Sequence, residues 1–132
     1  MQINTGSDTT TNGIRIQVFP EYLQDQSDPD QKQFLFSYRV LITNQGDKSV
    51  RLLSRHWIII NAEGDRQDVE GPGVTGYIPE LTPGESFEYT DSCPIDTNWG
   101  TMEGFYTFME ENSAKFKAKV GRFYLVSDEV TA

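Results

Sequence analysis

Gly71-Pro72-Gly73-Val74-Thr75-Gly76 has the spacing G-x-G-x-x-G. That spacing cradles a pyrophosphate only when it follows a buried strand and opens a helix whose first amides face the phosphates. Here it runs into Tyr77-Ile78-Pro79-Glu80-Leu81-Thr82-Pro83-Gly84. Two prolines stand where the helix would form, and a proline inside a helix costs about 3 kcal/mol or more. A dinucleotide fold is excluded. Two readings of the glycines remain, and the structural one is favoured. In it, Gly71-Pro72-Gly73 lets the backbone cross from one sheet to the other through φ values closed to larger residues. In the other, successive amides form a nest for a phosphate or carboxylate, with Arg55 adding charge.

The other reactive residue types are sparse. The one histidine, His56, lies in Ser54-Arg55-His56-Trp57. A nucleophilic triad needs a serine or cysteine that the fold brings to a histidine base, and nothing in the spacing pairs Ser54 or Ser92 with His56. A structural histidine is the expectation. One histidine and one cysteine do not make a zinc site of nitrogen and sulfur ligands, though carboxylates leave room for a weak divalent cation. The acids of Gln24–Gln31 match a calcium loop only in part, because no glycine occupies the sixth position and Phe36 stands at the twelfth, counted from Asp25. Cys93 has no local lysine or arginine to lower its pKa and is expected to be inert. Glu110 and Glu111 alternate faces of a strand and form no acid–base pair. The residues therefore specify no catalytic centre, no metal site and no cofactor. The expectation is a protein that is not an enzyme.

The elements that position these residues follow from period-two alternation. Residues 1–12 are polar and read as a flexible tail; residues 13–127 read as a single domain. Ile14, Ile16 and Val18 mark a strand, and Phe34 to Ile42 a longer one. A strand over 50–61 carries apolar residues on both faces. If Ile58 and Ile60 face the core, His56 does too, and Arg55 and Trp57 share the opposite face. Short strands are expected over 66–70 and 86–90, then an irregular loop over 91–102 that holds Trp99. A hairpin over 104–110 and 115–126 closes the chain. Its lysines, Lys115, Lys117 and Lys119, face water near a sheet edge, and Gly121 marks a bulge. About seven strands without helical periodicity give an all-β, immunoglobulin or fibronectin type III-like antiparallel sandwich.

Composition bounds the partners. The 132 residues suit one core, and 36% are hydrophobic, weighted toward eight Phe, six Tyr and two Trp. The formal net charge of −9 opposes binding to nucleic acid, whose phosphates are met by lysine and arginine. It is compatible with a basic protein partner or with cations. No apolar run approaches the roughly 20 residues of a membrane span. The start carries no basic and apolar leader, and one cysteine suits a reducing compartment. The expected location is the cytoplasm.

Three words, LLSRHWII (Leu52 to Ile59), VEGPGVTGYIPELTPGESFEYT (Val69 to Thr90) and GTMEGFYTF (Gly100 to Phe108), resemble the ApaG family of small bacterial proteins. The same domain occurs fused in eukaryotic F-box and polymerase-associated proteins. The resemblance implies a fibronectin type III-like sandwich and an association with cobalt resistance and magnesium efflux. It singles out Arg55, His56 and Trp57 together with Gly71, Gly73 and Gly76. Many relatives have a histidine where this chain has Phe105, which removes a second histidine from any metal role. The fusions imply an interaction module. The expected function is protein binding, with Trp99 as an anchor or, equally, a lid over the core, and a homodimer as one form of it. A phosphate compound or divalent cation at the glycine loop is the alternative.

Overall fold

The computed structural model describes residues 5–127. Nine strands form two antiparallel sheets. The first holds β1 (Ser7–Thr11), β2 (Ile14–Tyr22), β3 (Phe34–Asn44) and β7 (Ser86–Ile95), in the order β1-β2-β3-β7. The second holds β5 (Arg66–Pro72), β4 (Val50–Asn61), β8 (Trp99–Glu110) and β9 (Lys115–Val126), in the order β5-β4-β8-β9, with the two-residue β6 (Glu80–Leu81) also on β4. Without β1 and β6 this is the seven-stranded fibronectin type III arrangement, in which the chain leaves the first sheet after β3, returns for β7 and leaves again. The all-β sandwich is as expected.

Alternation builds the core. Ile14, Ile16 and Val18 from β2 and Phe36, Tyr38, Val40 and Ile42 from β3 meet Met102, Tyr106 and Phe108 from β8 and Ala118, Val120, Phe123 and Leu125 from β9. Trp57 sits among Tyr38, Tyr106 and Phe123, all edge-on or tilted, with ring centroids 5.3 to 5.8 Å away. Such offset and edge geometries suit the aromatic quadrupole.

The sequence reading needs correction in three places. Residues 7–11 of the expected tail form β1, paired along β2 from Ser7↔Val18 to Thr11↔Ile14; residues 1–4 lie outside the described residues. β1 is wholly polar, so no hydrophobic period announces it. The expected loop over 91–102 shrinks to Asp96–Asn98, because β7 continues to Ile95 along β3 and β8 starts at Trp99. Polar Asp91 and Ser92 hide that continuation.

The third correction concerns β4. Trp57 and Ile59 face the core, while His56, Ile58 and Ile60 face outward. The cause is a bulge at Leu53, between the pairs Leu52↔Phe108 and Ser54↔Thr107. One extra residue flips every later side chain to the other face. Val50 and Leu52 are therefore buried before the bulge and Trp57 and Ile59 after it. The expected bulge at Gly121 is present: Met102 pairs with Phe123 and Gly104 with Val120, so two residues of β9 oppose one of β8. Lys115, Lys117 and Lys119 are exposed on β9, an edge strand of its sheet.

Candidate functional site

The bulge at Leu53 also seats the glycine loop. The freed Leu53 carbonyl accepts the Gly73 N–H at 2.8 Å, and the Pro79 carbonyl accepts the Leu52 N–H at 2.9 Å. Between them the chain makes a miniature hairpin. Val74 and Tyr77 exchange both backbone bonds at 2.8 Å around Thr75 (φ +45°) and Gly76 (φ +87°). Positive φ at both central positions is the signature of a type I′ turn. The amides of Gly73, Val74 and Tyr77 are thus engaged inside the loop. The expected crossing between sheets does not occur here: β5 and β6, on either side of the loop, both pair with β4, and of the three glycines only Gly73 and Gly76 use positive φ.

Arg55 completes the loop. Its Nη1 donates to the Pro72 and Gly73 carbonyls, each at 3.0 Å. Gly71 pairs with Arg55 across the ladder, and a Cβ there would lie 2.9 Å from the guanidinium. A side chain at this position would displace the guanidinium from its place against the strand. Arg55 shares the inward face of β4 with Trp57, so its charge reaches the hydroxyls of Tyr38, Tyr89 and Tyr106. Burial nonetheless keeps all three phenols well above their ordinary range. The Tyr89 and Tyr106 hydroxyls bond to each other across the two sheets.

His56 belongs to the opposite surface. Its Nε2 lies 2.9 Å from Asp68 Oδ2 and its Nδ1 2.5 Å from Glu70 Oε1. The ring stacks on Phe105 at 4.9 Å, and Lys117 Nζ stands 4.6 Å from the centre of the Phe105 ring. The two carboxylates occupy opposite edges of one imidazole, so they orient it without converging on a common point. Arg66 binds Asp68 through two bonds of 2.7 and 3.0 Å and, with His56, holds that carboxyl below the usual range. Among the described residues no group of three or more His, Cys, Asp or Glu is placed to hold a metal. Spacing could have found Asp68 and Glu70, since the short turn after Asn61 sets Glu70 opposite His56 and Asp68 opposite Ile58. Phe105 is paired with His56 only through the long-range β4–β8 ladder.

Cys93 is buried on β7, and burial with nearby Asp91 pushes its thiol up to about 11. Trp99 opens β8 with 39% of its surface exposed. Tyr124, which sequence reasoning did not single out, is 43% exposed on β9. Thr101 pairs with Tyr124 and Trp99 with Val126, so the two exposed rings are diagonal neighbours on one outer face.

The ApaG domain model matches residues 24–110, from the connector before β3 to the end of β8. The chain belongs to the ApaG family. It is 45% identical over 115 residues to Protein ApaG of Methylobacterium sp. (strain 4-46), covering 87% of this chain and 88% of that one. It is 46% identical over 112 residues to Protein ApaG of Bordetella pertussis (strain Tohama I), covering 85% and 86%. The crystal structure of the protein named ApaA from Bordetella pertussis superposes with a TM-score of 0.86 at 44% identity, over 89% of this chain and 95% of that one.

The words that carried the ApaG resemblance thus meet in space. Arg55, His56 and Trp57 send their side chains alternately inward and outward from β4, the glycine loop is anchored on the same strand, and Phe105 covers His56. Arg55 and His56 start from opposite faces of β4, yet both line one open pocket of about 480 Å³ together with Glu70, Gly71, Pro72 and Phe105. Trp99 lies apart from both, beyond the other end of the β4–β8 ladder.

Proposed function

We infer that this ApaG-family sandwich is a non-enzymatic protein-binding module that docks through the outer face of its five-stranded sheet. The observation that carries the reading is the exposed pair Trp99 and Tyr124. Ile60, Thr101 and Tyr124 form one row across β4, β8 and β9, with Ile58 in the next row along β4. Among the described residues no second layer covers this face. The pair of Glu103 and Arg122, joined at 2.8 Å, borders it. Exposed aromatic anchors inside a polar rim are the pattern of interface hot spots. A contiguous apolar patch on a monomer's surface is itself a sign of a partner.

The net charge of −9 favours a partner with a basic rim. Association with cobalt resistance and magnesium efflux would then act through that partner, because the carboxylates at His56 do not converge on a cation. No helix among the described residues is long and apolar enough to cross a membrane. The buried, protonated Cys93 thiol supports action in the reducing cytoplasm.

The test compares the wild-type chain with a Trp99→Ala/Tyr124→Ala double variant, immobilised and exposed to lysate of the source cell. The variant is expected to keep its melting temperature within a few degrees and to lose specific capture. Loss of a hot spot worth about 2 kcal/mol weakens binding roughly thirtyfold. Sedimentation of both proteins shows whether the captured partner is a second copy. Identical capture by the variant would overturn the reading.

A further inference from the structure

The two long sides of the sandwich differ. On one, β1 lies against β9: Thr11 Oγ1 accepts the Lys119 N–H at 3.3 Å and the Thr5 carbonyl accepts the Tyr124 N–H at 2.9 Å. On the other, the edges of β5 and β7 leave a cavity of about 170 Å³ between the sheets. Arg55, Trp57, Tyr38, Asp91 and Cys93 are among its walls.

Two polar groups of this cavity lack the partner their burial calls for, and a third, the exposed carboxylate of Asp91, stands at its rim. Arg55 is half-buried, has only the Pro72 and Gly73 carbonyls on Nη1, and forms no salt bridge among the described residues. A partly buried cation is ordinarily matched by an anion. Trp57 is 3% exposed, and its Nε1 has no acceptor. Asp91 pairs across the ladder with inward-facing Tyr38, which turns its carboxylate toward the gap, where Oδ1 accepts the Ser92 N–H and Oδ2 bonds to no other group. Asp91 and Arg55 stand on opposite sheets and do not meet within salt-bridge distance. The cavity therefore has a cationic wall on β4, an anionic wall on β7, and aromatic rings between them.

We propose that this inter-sheet cavity binds a small zwitterion, an amino-carboxylate whose carboxylate meets Arg55 and whose ammonium meets Asp91. A simple anion would leave Asp91 facing it, and a simple cation would face Arg55. Only a ligand with both charges satisfies both walls, and Tyr38 and Trp57 offer ring surfaces to its methylenes and ammonium. The site does not depend on the outer-face docking surface, which lies on the other side of the β5-β4-β8-β9 sheet. It also differs from an anion nest at the glycine loop, where the Gly73, Val74 and Tyr77 amides are already bonded.

The experiment is an NMR titration of the labelled full chain with three probes: 6-aminohexanoate, hexanoate and hexylammonium. Trp99→Phe identifies the Trp57 indole signal. The expected result is saturable shifts at the Trp57 Nε1–H, the Arg55 Nε–H and the Ser92 amide, with the zwitterion binding at least about tenfold more tightly than either singly charged probe. Asp91→Asn, at an exposed edge position, should reduce the zwitterion to the affinity of hexanoate. Arg55→Gln should reduce it to that of hexylammonium, provided its spectrum remains dispersed. Flat spectra with 6-aminohexanoate at millimolar concentration would overturn the proposal. So would hexanoate binding as tightly as the zwitterion, or an Asp91→Asn variant with unchanged affinity.

Discussion

Two glycines of the loop on β4 have different physical reasons, and substitution separates them. At Gly73 (φ +57°) the Tyr77 carbonyl occupies the space a Cβ would need. At Gly76 (φ +87°) nothing lies within 4 Å of the added carbon. Gly73→Ala is therefore expected to cost on the order of 3 kcal/mol, since a backbone carbonyl cannot rotate away as a side chain can. Gly76→Asn, which tolerates the left-handed region, is expected to cost less than about 1 kcal/mol. Urea denaturation of both variants checks this, and equal losses would refute the division. A second residue-scale prediction concerns Asp68, whose folded pKa is depressed first by Arg66 and then by His56. A depressed carboxyl adds stability above its unfolded pKa, near 4, and loses it as pH falls toward the folded value. The stability difference between wild type and Asp68→Asn should shrink progressively as pH falls below about 4. Denaturation midpoints across that range measure it. A difference that stays flat into acid would mean the pair is fully screened at the surface.

At the scale of elements, strands with a hydrophobic period were legible and strands without one were not. β4 and β9 have the bounds their alternation indicated, Val50–Asn61 and Lys115–Val126. β7 was read only to Thr90, because Asp91 and Ser92 look like loop, yet it continues against β3 to Ile95. The facing of β4 was misread for a specific reason. Four apolar residues, Trp57 to Ile60, fit either face, and only the bulge at Leu53 decides between them. Two adjacent leucines, Leu52 and Leu53, were the available trace of that bulge, since an alternating strand has no use for both on one face. The same limit governs the candidate sites. Arg55, His56 and the glycines were found because they are close in sequence or part of a recognisable word. Asp91, Tyr38 and Phe105 join them only through ladders between distant segments, and local pattern contains no information about those pairings. The misreading also had a consequence for chemistry: it placed His56 toward the core and Arg55 away from it, when the arginine is the one aimed between the sheets.

At the scale of the whole molecule, the sandwich is closed on one side and open on the other, and β1 accounts for the closure. β1 adds no apolar surface, so its contribution must come from hydrogen bonds and from covering edges. It pairs with β2 from Ile14 to Val18 and touches β9 at Lys119, while Thr5, just before it, accepts the Tyr124 N–H. Gly121 fits beneath it, because a Cβ there would collide with Thr9 Oγ1. An uncovered β2 would present a long unpaired edge, the kind that joins to other chains. Deleting residues 1–11 is therefore expected to leave a folded sandwich that is less stable by about 1–3 kcal/mol, consistent with losing several hydrogen bonds of modest net value. Amide exchange at Lys119 and Tyr124 should accelerate while that of Tyr106 and Phe108 in β8 stays slow. Sedimentation should show self-association that rises with concentration, through β2. If exchange at Lys119 and Tyr124 is unchanged and the protein remains monomeric, β1 is an ornament on the edge. The closed side would then owe its integrity to the packing of β2 against β9 alone.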